Sequence, residues 1–302
     1  MYDLRLPVLC GLMVLAAQAA RADEVVWAMA DAGNGHLWQI NVTQDTKQDM
    51  GRLRDPVLGD VGTGWSTIAE TPDKNLYFMR RYQDDVHMFR LDSTNIVSSG
   101  GVITNLSSLG STGLGGNLDG LTAGPDGNLY FTAYQNNNAH FPANGLLRFH
   151  PGTATTDLVG TFGGGNAFYT DLAFDPISGD LLGTGNGGST IYRINGGAAL
   201  GGNHQTFNYN TAFPALGLDG LAFNRISGQM YESSDTGGVF EVNRTTGAFI
   251  RYVGGTQGTN IGTDLAVQAD TIPNPTVPEP GTMSLIATGL AVVLGARRRN
   301  RR

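Results

Sequence analysis

The sequence has little cysteine and little charge, and each shortage excludes a class of protein. One cysteine in 302 residues cannot supply a disulfide scaffold. Charged residues make up 15% of the chain and their formal net charge is −7, and this acidic balance argues against a nucleic-acid-binding surface. The hydrophobic content of 40% and the aromatic content of 9% exclude a chain that is disordered throughout. Glycine is abundant, with 44 residues, but it follows no Gly-X-Y period, so collagen is excluded.

The first 22 residues have the pattern of a secretory signal peptide. An apolar run over 6–17 is followed by small residues at Ala20 and Ala22, the positions −3 and −1 of a cleavage site. We therefore predict export through the Sec translocon and cleavage by signal peptidase after Ala22, with 17–19 as a second candidate site. A membrane anchor is disfavoured because a spanning helix needs about 20 apolar residues.

The other end of the chain carries three features in a fixed order. A Pro-rich linker over 271–280 ends in the four residues Val277, Pro278, Glu279 and Pro280. The final segment, 281–302, contains an apolar stretch over 283–296 and then five arginines among the last six residues. This order predicts an extended recognition segment, a short hydrophobic helix and a basic stop that stays cytoplasmic under the positive-inside rule.

The three features together resemble the PEP-CTERM sorting signal of Gram-negative bacteria. The resemblance implies recognition by an exosortase during transient retention in the inner membrane, removal of the tail, and release to the cell surface or extracellular matrix. It also implies an association with exopolysaccharide. The alternative is a permanent tail anchor, although the 14 apolar residues of 283–296 are fewer than the roughly 20 that a stable span needs.

Removal of both ends leaves a more acidic domain over 23–270. It retains 12 basic and 24 acidic residues, so its formal charge is −12, and it contains no cysteine. We therefore expect an acidic exported domain that is stabilised without disulfides.

An internal repeat predicts the architecture of this domain. Four segments align, 67–78, 120–131, 171–182 and 220–231, and a shorter fifth copy covers 264–267. The aligned apolar markers are Ile68, Leu121, Leu172, Leu221 and Leu265, with spacings of 53, 51, 49 and 44 residues. A period of about 40–50 residues with short alternating strands is typical of β-propeller blades.

The ends of the domain predict five blades. The strand at 25–29 begins a blade that lacks its first strand, and 262–267 supplies an isolated first strand. Pairing of the two would close the ring and protect the sheet edges. Six or seven blades are disfavoured because 96–118 and 196–216 are too polar and glycine-rich to be further blades. An open β-sandwich is the general alternative to this all-β propeller.

Acidic residues lie at the start of the predicted innermost strands. They are Asp119, Asp171, Asp219 and Asp264. Carboxylates that converge in a central channel favour a hard cation such as Ca²⁺. The Asp-Gly-Leu pattern resembles strands of NHL-like and gluconolactonase-type propellers, which implies that these residues are metal ligands in the channel. The alternative is that they cap turns and bond backbone amides between blades.

Aromatic and amide residues at the strand ends predict a binding surface. The candidates are Trp65, Tyr82, Tyr134, Asn136, His140 and Phe141. Such groups stack on sugars and hydrogen-bond to them, so we expect a binding or matrix-associated protein whose ligand is an extracellular polysaccharide or another protein. The alternative is a propeller enzyme, a glycan hydrolase or lactonase, that uses paired channel carboxylates. No nucleophile elbow or His/Cys metal motif accompanies them.

Overall fold

A computed structural model describes most of the predicted domain. The described residues are 24–30, 35–62, 64–82, 85–115, 117–134, 145–161, 169–185, 190–194, 204–208, 218–234, 238–259, 261 and 264–268. The chain divides into the units Met1–Ala269 and Asp270–Arg302, and the second unit lies outside the described residues. The predicted signal peptide, sorting signature and C-terminal helix lie outside them as well. Within the described part, no helix has the length and apolar character to cross a membrane.

The described residues form 22 β-strands in five sheets. In chain order the strands are β1 (Val25–Ala30), β2 (His36–Asn41), β3 (Thr46–Leu53), β4 (Trp65–Glu70), β5 (Asn75–Tyr82), β6 (Asp85–Asp92), β7 (Ser98–Ser99), β8 (Val102–Ile103), β9 (Ser107–Ser111), β10 (Asn117–Ala123), β11 (Leu129–Tyr134), β12 (Gly145–His150), β13 (Thr155–Thr161), β14 (Tyr169–Phe174), β15 (Leu181–Gly185), β16 (Thr190–Ile194), β17 (His204–Asn208), β18 (Leu218–Phe223), β19 (Met230–Ser234), β20 (Gly238–Val242), β21 (Phe249–Tyr252) and β22 (Asp264–Val267).

Each sheet is one blade of a five-bladed propeller, as predicted. Blade 1 contains β22, β1, β2 and β3; blade 2 contains β4, β5, β6 and β9; blades 3, 4 and 5 contain β10–β13, β14–β17 and β18–β21. The first strand of each blade contacts the first strand of the next, and β22 contacts both β18 and β4, so the ring is closed.

The predicted closure between the two ends of the domain is confirmed. Strand β22 pairs antiparallel with β1, with Val26 opposite Val267 and Ala28 opposite Leu265. Blade 1 is therefore assembled from both ends of the domain, which ties its termini together without a disulfide.

Residues 96–118 do not form a blade, but part of this segment extends one. Strands β7 and β8 form a short hairpin, and β8 pairs parallel with β3, with Arg52 opposite Val102. Blade 1 consequently has six strands. The hairpin covers the outer edge of β3, whose free N–H and C=O groups would otherwise be open to pairing with another chain.

The hydrophobic core consists of layers between adjacent blades. Between blades 1 and 2, Trp27 packs in one cluster with Phe78 and Phe89. Between blades 5 and 1, Tyr231 packs in one cluster with Ile40. Clusters of the same kind lie between the other neighbouring blades. A fully buried side chain of this size contributes about 1.5–3 kcal/mol, so these layers hold the ring together.

The two ends of the ring differ in how they connect strands. We call the end where the innermost strands begin the loop face, and the end where they finish the turn face. On the turn face, 175–180 and 224–229 form the same six-residue turn, in which the first side chain accepts from the third and fourth backbone amides. The turn recurs at 243–248 on the same face and at 55–60 on the loop face. Its fifth residue is always glycine, because φ there is positive, for example +75° at Gly59.

Candidate functional site

Four of the innermost strands begin with a register irregularity near the loop face. The shifts lie at the starts of β4, β10, β14 and β18. Thr67 and Gly120 occupy this position with positive φ values of 63° and 62°. A β-bulge removes backbone groups from the ladder, so the amides there need other partners.

Two of the predicted channel carboxylates supply those partners. Asp171 is fully buried, and its Oδ1 accepts from the Leu172 amide at 2.7 Å while its Oδ2 accepts from the Leu221 amide of blade 5 at 2.7 Å. Asp264 is 7% exposed, and its Oδ2 accepts from the Thr67 amide of blade 2 at 2.9 Å. Each carboxylate therefore joins its own blade to the following one.

The two carboxylates also interact with each other. Burial raises the pKa of Asp171 well above its ordinary value, and the negative charge of Asp264 raises it further. The amides of Leu221, Leu172 and Leu265 oppose this shift but do not cancel it. A proton is therefore held more tightly at this pair than at an exposed carboxyl group.

The other two members of the predicted carboxylate ring, Asp119 and Asp219, are not shown to bond amides in this way. The side chain of Asp119 lies outside the described residues. The backbone carbonyl of Asp219 accepts from Thr184 Oγ1 of blade 4 at 3.1 Å. Among the described residues, no group of three or more His, Cys, Asp or Glu side chains is arranged to hold a metal ion.

The Asp171–Asp264 pair is a poor fit to calcium. Calcium needs several oxygen ligands turned towards it, whereas the contacts of Asp171 and Asp264 bring backbone N–H groups, which repel a cation, to their oxygens. The described geometry favours the alternative stated above, in which these carboxylates bond amides between blades. The calcium site stays a prediction.

A second cluster lies on the loop face of blade 2, and we call its five members the Arg80 cluster. They are Asp55, Asp60, Trp65, Arg80 and Tyr82. The Arg80 guanidinium is 5.4 Å from the ring centre of Trp65 and 5.2 Å from that of Tyr82. It forms ion pairs with Asp55 and with Asp60, and the Tyr82 hydroxyl donates to Asp55.

The ionisation of the Arg80 cluster follows from burial and from these partners. Burial raises the pKa of Asp55, but the hydrogen bond from Tyr82, the amides of Leu58 and Val57 and the charge of Arg80 together bring it below its ordinary value. The hydrogen bond from Arg80 likewise lowers the pKa of Asp60. Burial, followed by the bond to Asp55, raises the pKa of Tyr82. The cluster therefore holds two carboxylates, one guanidinium and a neutral phenol.

Tyr82 brings the cluster to the surface. It is half-buried, and its ring centre lies 4.4 Å from that of His87. Trp65, by contrast, is 8% exposed and packs against Phe78 and Phe89 in the layer between blades 1 and 2. Of the predicted ligand-binding residues, Tyr134 ends β11 on the same face, but its side chain lies outside the described residues. Asn136, His140 and Phe141 lie outside them too.

Asp55, Asp60 and Arg80 were not among the site residues predicted from the sequence, although two signals for them are present. The six residues 55–60 repeat the pattern of 175–180, with Asp-Pro at the start and Gly-Asp at the end. Strand β5 contains two consecutive arginines in an otherwise apolar strand, and one of them must point towards the buried side because side chains alternate.

The central channel contains a cavity of about 280 Å³ that reaches the turn face. All five innermost strands line it, and its polar members are Glu70, Thr122, Asp175 and Arg225. Arg225, which was not among the predicted site residues, donates from Nη2 to the carbonyls of Glu70 at 3.1 Å and Ala123 at 3.0 Å.

Comparisons with known proteins agree with this fold and identify the C-terminal signal. A chain of the nidogen/laminin complex is 13% identical, with 82% of this chain and 98% of that chain covered and a TM-score of 0.50. A Bacteroides thetaiotaomicron protein of unknown function is 14% identical (82% and 65% covered, TM-score 0.48), and a proposed gluconolactonase is 17% identical (78% and 81% covered, TM-score 0.45). The similarity to the nidogen/laminin chain, at 13% identity and a TM-score of 0.50, concerns the fold alone.

No curated protein matches the chain. The family model described as the PEP-CTERM protein-sorting motif matches residues 276–299. This confirms the predicted sorting signal, which implies export and surface sorting in Gram-negative bacteria. The chain is therefore similar at its C-terminus to exosortase substrates and carries a five-bladed β-propeller ahead of that signal.

Proposed function

We propose that the protein is a surface-sorted propeller that binds an extracellular polysaccharide through its loop face, at Tyr82. One observation carries this proposal. The Tyr82 ring is held by its hydroxyl bond to Asp55 and by the Arg80 guanidinium, while Asp60 beside it is 47% exposed. A fixed aromatic ring with a carboxylate alongside can stack on a sugar ring and accept hydrogen bonds from its hydroxyls.

The charge of the domain narrows the class of polysaccharide. Residues 23–270 carry a formal charge of −12, and a strongly acidic surface repels polyanions. The proposed ligand is therefore a neutral glycan rather than an acidic one. Salt should have little effect on its affinity, since screening alters only interactions between charges.

A protein ligand is the second candidate, and the turn at 55–60 favours it. Val57 and Leu58 are each 60% exposed, although they are aliphatic. Their amides are fixed at 2.6 and 2.9 Å by Asp55, which also accepts from Tyr82, so the turn that carries them is ordered. A protein partner would bury these side chains, whereas a sugar would gain little from them.

A glycan array probed with the purified full chain in mild detergent tests the proposal. Neutral glycans should bind, and Tyr82→Ala should weaken the binding about tenfold or more, which corresponds to about 1.4 kcal/mol. Tyr82→Phe keeps the ring and should retain most of the affinity. Tyr252→Ala is the matched control, because Tyr252 is a half-buried aromatic residue on the outermost strand of blade 5.

Three results would contradict the proposal. One is an array without bound glycans, and another is an equal loss of affinity in the Tyr82 and Tyr252 variants. The third is release of reducing sugar from a bound glycan that Asp219→Ala abolishes, which would support the propeller enzyme instead. If only a protein is captured, and Leu58→Ser prevents its capture, the exposed turn is the binding site.

A further inference from the structure

We propose that the cavity in the central channel binds a small monocarboxylate with an apolar body, and that the guanidinium of Arg225 holds its carboxylate. This site is on the turn face, so it is separate from the proposed glycan site on the loop face. Each can therefore fail without the other.

The turn that carries Arg225 does not need an arginine. The Asn224 side chain accepts from the amides of Ile226 and Ser227, both at 2.8 Å, and these bonds set the turn. The same turn at 55–60 and 175–180 has proline in the second position. Proline has no amide hydrogen, so the turn geometry makes no use of the amide at residue 225. The arginine side chain is therefore an addition to a turn that forms without it.

Arg225 reaches across the mouth of the channel. It starts from blade 5 and donates to the carbonyl of Glu70 in blade 2 and to that of Ala123 in blade 3. Burial lowers the pKa of Arg225, and the charge of Glu70 opposes that shift. Both hydrogen bonds use Nη2, and no described residue accepts from Nε or Nη1. A guanidinium has five N–H donors, so donors remain for a ligand at the cavity.

The charges around the cavity limit how much negative charge a ligand can carry. Asp175 also lines the cavity, but its carboxylate is bonded to Arg244, with Nε at 3.0 Å. Glu70 remains near Arg225, and its Oε1 accepts from Ser93 at 2.8 Å. Glu70 repels any anion beside Arg225, and more strongly the greater its charge, so a ligand with one negative charge is favoured over a doubly charged phosphate. An organic cation would be repelled by the guanidinium.

The walls of the cavity indicate the polarity and size of the rest of the ligand. Most of the residues that line the cavity are apolar, such as Leu121, Leu172, Phe174, Phe223 and Val267. A polar ligand would lose hydration against these walls without compensation, whereas an apolar chain or ring would not. The volume of about 280 Å³ holds roughly nine water molecules at about 30 Å³ each, which is room for a chain of about eight carbons. The matching ligands are medium-chain aliphatic carboxylates and aromatic carboxylates.

Octanoate, octanol and octylamine test the proposal, because they share one tail and differ in their head group. We expect octanoate to raise the melting temperature of the full chain by roughly 5–10 °C at a hundredfold excess over its Kd. Octanol should have a much smaller effect and octylamine none. Calorimetric titration should give one octanoate per chain.

Arg225→Pro is the decisive variant, since two other copies of the turn have proline at this position. It should weaken octanoate binding at least tenfold and leave octanol binding unchanged. Arg225→Gln, which keeps donors but not the charge, should give the same result if the proline variant does not fold. The proposal is overturned if octanoate and octanol bind equally well, if octylamine binds best, if none of the three binds, or if both variants bind octanoate as the native chain does.

Discussion

Replacement of Arg80 by leucine should destabilise the propeller by leaving a buried carboxylate without its cation. Asp55 is fully buried and Arg80 is 4% exposed. The leucine supplies no charge and loses the contact of the guanidinium with the Trp65 ring. Asp55 then retains only the Tyr82 hydroxyl and the backbone amides of its own turn.

The magnitude follows from which contacts are buried. Loss of one partner from a buried ion pair costs about 3–5 kcal/mol. The second ion pair adds about 0–1 kcal/mol at most, because the Asp60 side chain is 47% exposed. We therefore expect Arg80→Leu to lower the free energy of unfolding by about 3–5 kcal/mol at pH 7. For a domain of this size, that corresponds to a decrease of roughly 6–20 °C in melting temperature.

Denaturant titrations at pH 7 and pH 4.5 provide the assay, with the denaturant dependence checked for equality between variants. In the native chain the pKa of Asp55 is lowered, so its stabilising effect is present above the ordinary value of 3.8 and is lost as the pH falls through the lowered pKa. Without Arg80, burial should raise this pKa, and protonation should then relieve part of the cost. The destabilisation should therefore be smaller at pH 4.5 than at pH 7.

The double variant Arg80→Leu with Asp55→Asn is the matched control. The asparagine oxygen can still accept from the amides of Val57 and Leu58, but it has no charge to strand in the interior. The double variant should therefore recover most of the stability that Arg80→Leu loses. A cost below 1 kcal/mol for Arg80→Leu alone, or an equal cost at both pH values, would refute the reasoning.

Two further predictions concern the channel carboxylates and two glycines with positive φ. The raised pKa of Asp171 stabilises the fold below the ordinary value of 3.8, and this stabilisation is lost as the pH rises towards the raised pKa. Asp264→Asn removes the neighbouring charge, so stability measured by urea unfolding should fall less between pH 4 and pH 7 than in the native chain; an unchanged profile would contradict this. Gly238→Ala should cost at least 2 kcal/mol more than Gly127→Ala in the same assay. Both glycines have positive φ, 85° and 77°, but a Cβ at Gly238 would overlap the carbonyl of Thr256, while the space at Gly127 is open. Equal costs would show that the strain of a positive φ alone, and not steric overlap, determines the loss of stability.

The number of blades was predictable because every layer of the core needs an apolar residue at the same place in each repeat. Leu121, Leu172 and Leu221 are each buried in such a layer, so the spacing of these markers reports the spacing of the blades. The closure of the ring was predictable from β22 because Leu265 in this isolated strand aligns with the same apolar marker. The β7–β8 hairpin was not predictable, since two-residue strands such as Ser98–Ser99 are too short to show any alternation.

The candidate site was less predictable because its partners are backbone groups or lie far along the chain. The sequence placed Asp171 at the channel, but the amides of Leu221 and Leu265 that surround it leave no trace in residue types. Arg80 pairs with carboxylates 25 and 20 residues away, in a loop that the repeat does not include. Comparison of the four turns position by position would have singled out Arg225 and Arg244, which stand where the copies at 55–60 and 175–180 have proline.

The bulges at the loop face explain why carboxylates bond amides there. The register shifts at the starts of β4 and β18 free the amides of Thr67 and Leu221 from the ladder, and Asp264 and Asp171 accept from them. These amides also account for the poor fit of a cation at that end of the channel. At the turn face, the carbonyls of Glu70 and Ala123 accept from Arg225 instead. Without that guanidinium the two carbonyls would repel an anion, so binding of the proposed carboxylate depends on Arg225.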